Sequence, residues 1–253
     1  MKKTSLEDLH REHRPDAIEE RLRRSAASEN VSDAVLGAID GCVTTFAVVS
    51  GAVGAEFPVA VALVLGFANL VSDGFSMAVS NYESMRAQHE FVDDVRRMEH
   101  EHIARIPEGE REEIRQIFRA KGFEGAQLEQ IVDTICSDER LWVDTMLTEE
   151  HGLQKAGGSP WKAALTTFFA FLAAGAVPLV PLFFNALPVQ QRFILSTAMA
   201  AVVFFLIGML KSLVFARPLL RSGLSTLLTG GTAAALSWLT GYLLRTLVGI
   251  ASP

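Results

Sequence analysis

Hydrophobic positions in this chain gather in long runs rather than in a short alternation, and polar stretches of very unequal length separate them. Ala163–Asn185, Phe193–Leu210 and Ser222–Leu244 contain no charged residue, the last being richer in Gly, Ser and Thr. The stretch Val31–Glu83 is long enough for two further runs, Val31–Ala55 and Val59–Tyr82, joined by Glu56-Phe57-Pro58. About 20 mostly apolar residues cross a bilayer as a helix. The pattern therefore predicts an all-α polytopic membrane protein with five transmembrane helices, the first two forming an antiparallel hairpin. Pro178 and Pro181 should break or kink span 3. Inside a bilayer such a break is tolerated where neighbouring protein or a wet cavity satisfies the freed carbonyls.

The polar stretches set the expected domain limits. Residues 1–30 read as an amphipathic segment broken at Pro15, on the membrane surface or on the insert, or equally as a solvated tail. Residues 31–82 hold spans 1 and 2, and 161–253 hold spans 3 to 5. Residues 83–160 form a soluble helical insert with 18 acidic and 10 basic side chains. Glu83–Arg105 can continue span 2 into water. Pro107 opens a new helix that Gly122 ends, Ala126–Cys136 and Glu139–Leu153 read as two more, and Gly157-Gly158-Ser159-Pro160 reads as a linker.

Charge refines this picture. The formal net charge is −6, yet residues 151–253 contain no Asp or Glu. Chemistry needing a carboxylate must lie earlier in the chain. Lys and Arg number seven in the N-terminal segment, ten in the insert and three in the span 4–5 connection, against none in the span 1–2 turn. The positive-inside rule then places the N-terminus and insert in the cytoplasm. Met1–Asn30 is charged throughout and does not read as a signal peptide. Cys42 and Cys136 are not expected to pair. An acidic soluble part argues against nucleic-acid binding, and no nucleotide-binding glycine loop is present, so active transport would use an ion gradient.

Spans 1 and 2 carry Asp33, Asp40 and Asp73 among apolar residues. A carboxylate at membrane depth costs a few kcal/mol or more, and it is expected to face a polar cavity and to have a task. Asp33, Gly37, Asp40, Gly41 and Thr44 share one face of span 1. Gly37 and Gly41 would let another backbone approach closely. On span 2, Asn69, Asp73, Met77 and Asn81 fall in one stripe at four-residue steps. Oxygen donors with one soft sulfur suit a borderline divalent ion such as Fe²⁺ better than Mg²⁺ or Ca²⁺. In the insert, Glu99 and His102, Glu110 and Glu113, and Met146 and Glu150 each share a helix face. Three helices could bring these groups to one centre, or the carboxylates could form a solvated face. The local excess of negative charge favours a cation between them.

The segments DAVLGAIDG, GFANLVSDGFSMAVSNYES, PEGEREEIRQIFRAKG, WVDTMLTEEHGL and AAGAVPLVPLF resemble, in sequence and order, the vacuolar iron transporter family. The likeness covers about His10 to Leu244. It implies a dimeric transporter moving Fe²⁺, and often Mn²⁺, out of the cytosol in exchange for protons, with no prosthetic group. Asp40 and Met77 match the family's pathway positions. Glu99, Glu110, Glu113, Met146 and Glu150 match its cytoplasmic metal-binding positions. His102 stands where the family commonly has Glu, and Leu147 where a second Met can occur. Asn69 stands for the usual Glu of span 2, Asp73 replaces a Gly one turn later, and Asn81 replaces a Glu.

The expected mechanism has the insert capture Fe²⁺ and Asp40, Asp73 and Met77, doubled by a dimer axis, pass it on, with protons releasing it. Zn²⁺ and Co²⁺ suit the same donors. The membrane would be the plasma membrane in a prokaryote and a vacuolar one in a eukaryote. Two other classes remain open: a membrane-tethered ferritin-like di-iron oxidase, using Glu99-x-x-His102 with Glu7-x-x-His10, and a metal sensor without transport.

Overall fold

The computed structural model describes residues 6–23, 29–153, 157–215 and 218–249. Every regular element among them is helical: α1 (Leu6–Glu12), α2 (Pro15–Arg23), α3 (Glu29–Gly54), α4 (Val59–Arg105), α5 (Pro107–Ala120), α6 (Gly125–Cys136), α7 (Glu139–Glu149), α8 (Pro160–Ala176), α9 (Val189–Phe215) and α10 (Leu219–Val248), with a 3₁₀ turn, Val177–Phe183, after α8. Five helical stretches are long and apolar enough to cross a membrane: Val31–Gly54, Val59–Arg105, Pro160–Phe183, Val189–Ser212 and Leu219–Val248. The chain is an all-α polytopic membrane protein.

The fold divides into two compact units, residues 1–82 with 158–253, and Glu83–Gly157. In the first, α3 packs against α8, α9 and α10. Small residues make this possible. A Cβ at Gly37 or Gly41 would run into the backbone carbonyl of Thr167 or Phe171 on α8, and one at Gly54 into that of Trp238 on α10. The glycine face of span 1 is thus occupied by span 3 of the same chain. Two apolar clusters fill the unit. One joins Cys42 and Phe46 to Ala200, Phe204 and Ile207; the other joins Val49 and Leu70 to Phe171, Leu179 and Leu182.

The α3–α4 turn reverses the chain at Glu56, which has a left-handed backbone (φ 56°) and pairs with Arg245 of α10. In span 3 the two prolines convert the helix into the 3₁₀ turn. The Pro178 carbonyl, freed from the helical ladder, accepts the Ser196 hydroxyl of α9 at 2.6 Å, which supplies from a neighbouring helix the partner that apolar surroundings cannot. Leu65, Phe67, Val71, Phe75 and Val79 on α4 remain exposed, as expected of a span in contact with lipid or another chain.

The second unit consists of the last part of α4 with α5, α6 and α7. Its main core joins Ile114, Leu128, Val132, Ile135, Trp142 and Met146, and a smaller one joins Val95, Val143 and Leu147. Pro107 opens α5, and Gly122 (φ 95°) follows it. Cys42 and Cys136 are both free thiols. Residues 6–23 of the N-terminal segment form two helices broken before Pro15, while residues 1–5 and 24–28 of that segment and Arg217 of the span 4–5 connection lie outside the described residues.

Candidate metal centre and membrane carboxylates

In the insert the site is built by three chain segments. Glu99 and His102 lie one turn apart on α4, and Glu110 and Glu113 one turn apart on α5. The third segment differs from the sequence expectation, since α7 ends at Glu149 instead of running to Leu153. Gly152 takes a left-handed conformation (φ 64°), and the amides of His151 and Leu153 turn back to the carbonyls of Met146 and Leu147 at 3.2 and 2.8 Å. This is a glycine-closed helix end. It places Glu150 and His151 on the closing turn.

The side chains gather as two overlapping groups, Glu99 with Glu150 and His151, and Glu99 with His102 and Glu110; in each, one ligand-type atom per residue lies within 4.8 Å of the others. His151 Nε2 is 2.9 Å from Glu99 Oε1 and 3.7 Å from Glu150 Oε2, and His102 Nδ1 is 3.4 Å from Glu110 Oε1. Glu99 and Glu110 are only 1% and 2% exposed. Their Oε2 atoms have no hydrogen-bond partner among the described residues. An unpaired buried carboxylate oxygen is costly, and a bound cation would remove that cost.

The electrostatics agree. Burial, reinforced by the charges of Glu113 and Glu99, pushes the Glu110 carboxyl up to about 7, with His102 acting in the opposite sense. Burial and the Glu113 charge also raise Glu150, against the pull of His151. Glu113 itself is exposed, at the rim. Met146 is fully buried in the apolar cluster with Ile114 and Trp142. The sequence reading missed His151. Extending α7 to Leu153 would have turned it to a different face from Met146, and the available signal was Gly152 as a helix stop.

In the membrane unit, Asp40 lies on α3 and Asp73 on α4. Both are half-buried. Asn69 Nδ2 is buried without a hydrogen-bond partner among the described residues. Met77 is half-buried against the Phe171 and Leu179 cluster. Asn81 donates to Asp33 Oδ1 at 3.0 Å and to Thr167 Oγ1 at 2.9 Å, tying α4 to α3 and α8. The structure therefore brings Asp33 and Asn81 together. Of the Glu7-x-x-His10 pair, the Glu7 side chain lies outside the described residues.

Comparison with known proteins is consistent across the chain. Residues 31–242 match the model of the VIT family. A Toxoplasma gondii protein named vacuolar iron transporter is 30% identical over 96% of this chain and 82% of its own length. A Plasmodium berghei protein of the same name is 28% identical, over 94% and 87% respectively. The Arabidopsis thaliana vacuolar iron transporter 1 is 26% identical, over 83% and 84%.

Proposed function

The chain belongs to the VIT family, and on that premise we propose that it is a transporter carrying divalent iron, and manganese with it, out of the cytosol in exchange for protons. Relatives that cover nearly the whole chain are named as iron transporters. The observation that carries the reading is that Asp40 and Asp73, carboxylates on two different apolar spans, are both half-buried. Such groups at membrane depth are expected to face a wet cavity and to mark an ion or proton pathway.

In this reading the N-terminal segment (1–30) and the helical insert (83–160) face the cytosol, and the spans are 31–82 and 161–253. The insert takes up the ion: Glu99 and Glu110 supply buried oxygens, His102 and His151 nitrogens, and Glu113 and Glu150 rim carboxylates. Met146 contributes its thioether once the ion is seated. Within the spans, Asp40 and Asp73 replace part of the hydration shell, Asn69 and Met77 line the same stripe, and Asn81 holds Asp33 and α8 in register. A nearby cation lowers a carboxylate's pKa and desolvation raises it. Metal and proton therefore compete for the same oxygens, and protons entering from the far side release the metal. The chain works as a homodimer, with the exposed apolar face of α4 as one surface available for pairing.

The test is a flux assay on purified protein in liposomes, with Fe²⁺, Mn²⁺, Zn²⁺ and Co²⁺ in competition and with or without a pH gradient. Fe²⁺ uptake driven by a proton gradient of the opposite direction supports the proposal. Metal binding without flux would point to a sensor, and iron-dependent oxygen consumption to an oxidase.

A further inference from the structure

We propose that the facing ends of α9 and α10 form a binding site for a phosphate-bearing anion, supplied either by the headgroup of an acidic phospholipid or as free phosphate. A cavity of about 480 Å³ lies there, lined by Lys211, Pro218, Arg221, Ser222, Ser225 and Thr226. That size falls in the range of small-ligand sites. Two cations and three hydroxyls converge on it.

Four features separate this cavity from an ordinary pair of basic residues at span ends. Neither Lys211 nor Arg221 forms an ion pair among the described residues, and residues 151–253 contain no carboxylate to provide one. The cavity also receives the start of a 30-residue helix whose N-cap is Pro218, without a side-chain cap. The first intrahelical bond there comes from the Ser222 amide. The amides of Leu219, Leu220 and Arg221 therefore have no acceptor within the helix, and such a terminus favours an anion.

The third feature is Thr226, which is 8% exposed and lines the cavity. The other four threonines of α10, namely Thr229, Thr232, Thr240 and Thr246, each donate to a carbonyl one turn back. Thr226 makes no such bond among the described residues. Its hydroxyl is left free to donate into the cavity, and a phosphate oxygen would accept from it. The fourth feature is position. Lys211 lies next to Ser212, where one candidate span ends, and Leu219 opens the next; basic pockets between spans at such ends take anionic headgroups.

The site is tested on the full-length protein in detergent by native mass spectrometry, with phosphatidylglycerol, phosphatidylcholine and inorganic phosphate as probes. Phosphatidylglycerol should be retained in preference to phosphatidylcholine. Lys211→Gln with Arg221→Gln should weaken phosphatidylglycerol about thirtyfold, from roughly 1 kcal/mol per cation. Thr226→Val changes no charge and should weaken it about tenfold, the worth of one hydrogen bond to a charged group. Arg245→Gln, at the far end of α10 and paired with Glu56, should change nothing. Binding of inorganic phosphate in the absence of lipid, lost in the same variants, would identify free phosphate as the source; binding of phosphatidylglycerol alone would identify the headgroup. Equal retention of phosphatidylglycerol and phosphatidylcholine by the parent protein, or retention of every probe undiminished in both variants, would overturn the site.

Discussion

Glu110 concentrates the chemistry of the insert in one residue. Its carboxyl is raised from 4.5 to about 7 by burial and by neighbouring carboxylates. In the metal-free protein the folded state then holds a proton that the unfolded chain has released between those values. Folding stability from this group is therefore present below about 4.5 and lost as pH rises toward 7. Metal binding has the opposite sense, because the ion must displace that proton. Calorimetric titration with Mn²⁺ should show affinity falling as pH drops from 7.5 to 6, with proton release on binding. Glu110→Gln should remove most of that release. His151 is the second residue to probe. His151→Ala deletes a nitrogen 2.9 Å from Glu99, and loss of one ligand should cost about tenfold or more in metal affinity, read by the same titration. The paired positions on α4 and α5 were legible as three-residue spacings. His151 was not, because its place depends on where α7 stops, and helix ends are set by local backbone choices that periodicity does not reveal.

Helices in this molecule meet through small residues, and there the sequence was informative but incomplete. Gly37 and Gly41 were readable as a site of close approach. That their partner is α8 was not, since nothing in a glycine step names the opposing helix. Gly41→Ala places a methyl against the Phe171 carbonyl. It should destabilise the protein by about 1–3 kcal/mol, the usual cost of overpacking, seen as a lower thermal midpoint in detergent. Span 3 offers a second check. Ser196→Ala removes the hydroxyl that donates to the Pro178 carbonyl, and it should cost about 1–3 kcal/mol by the same measurement. Asn81 carries a different lesson. Its spacing put it in the stripe with Asp73, yet its amide is committed to Asp33 and Thr167, a contact between residues far apart in the chain that no local pattern could announce.

At the scale of the whole chain, five runs of apolar residues were enough to give the all-helical fold and its five spans. Bilayer thickness is responsible: it forces each span to be long and apolar, so the pattern repeats in plain view. The carboxylates within spans 1 and 2 break that pattern, and the account rests on what they do. Iron flux into proteoliposomes by Asp40→Asn, measured beside calorimetric metal binding by the same preparation, tests this most directly. The account predicts that flux is abolished while the insert binds metal as before, because Asp40 lies in the spans and the captured ion has no second carboxylate to follow. Flux at the parental rate in Asp40→Asn would contradict it.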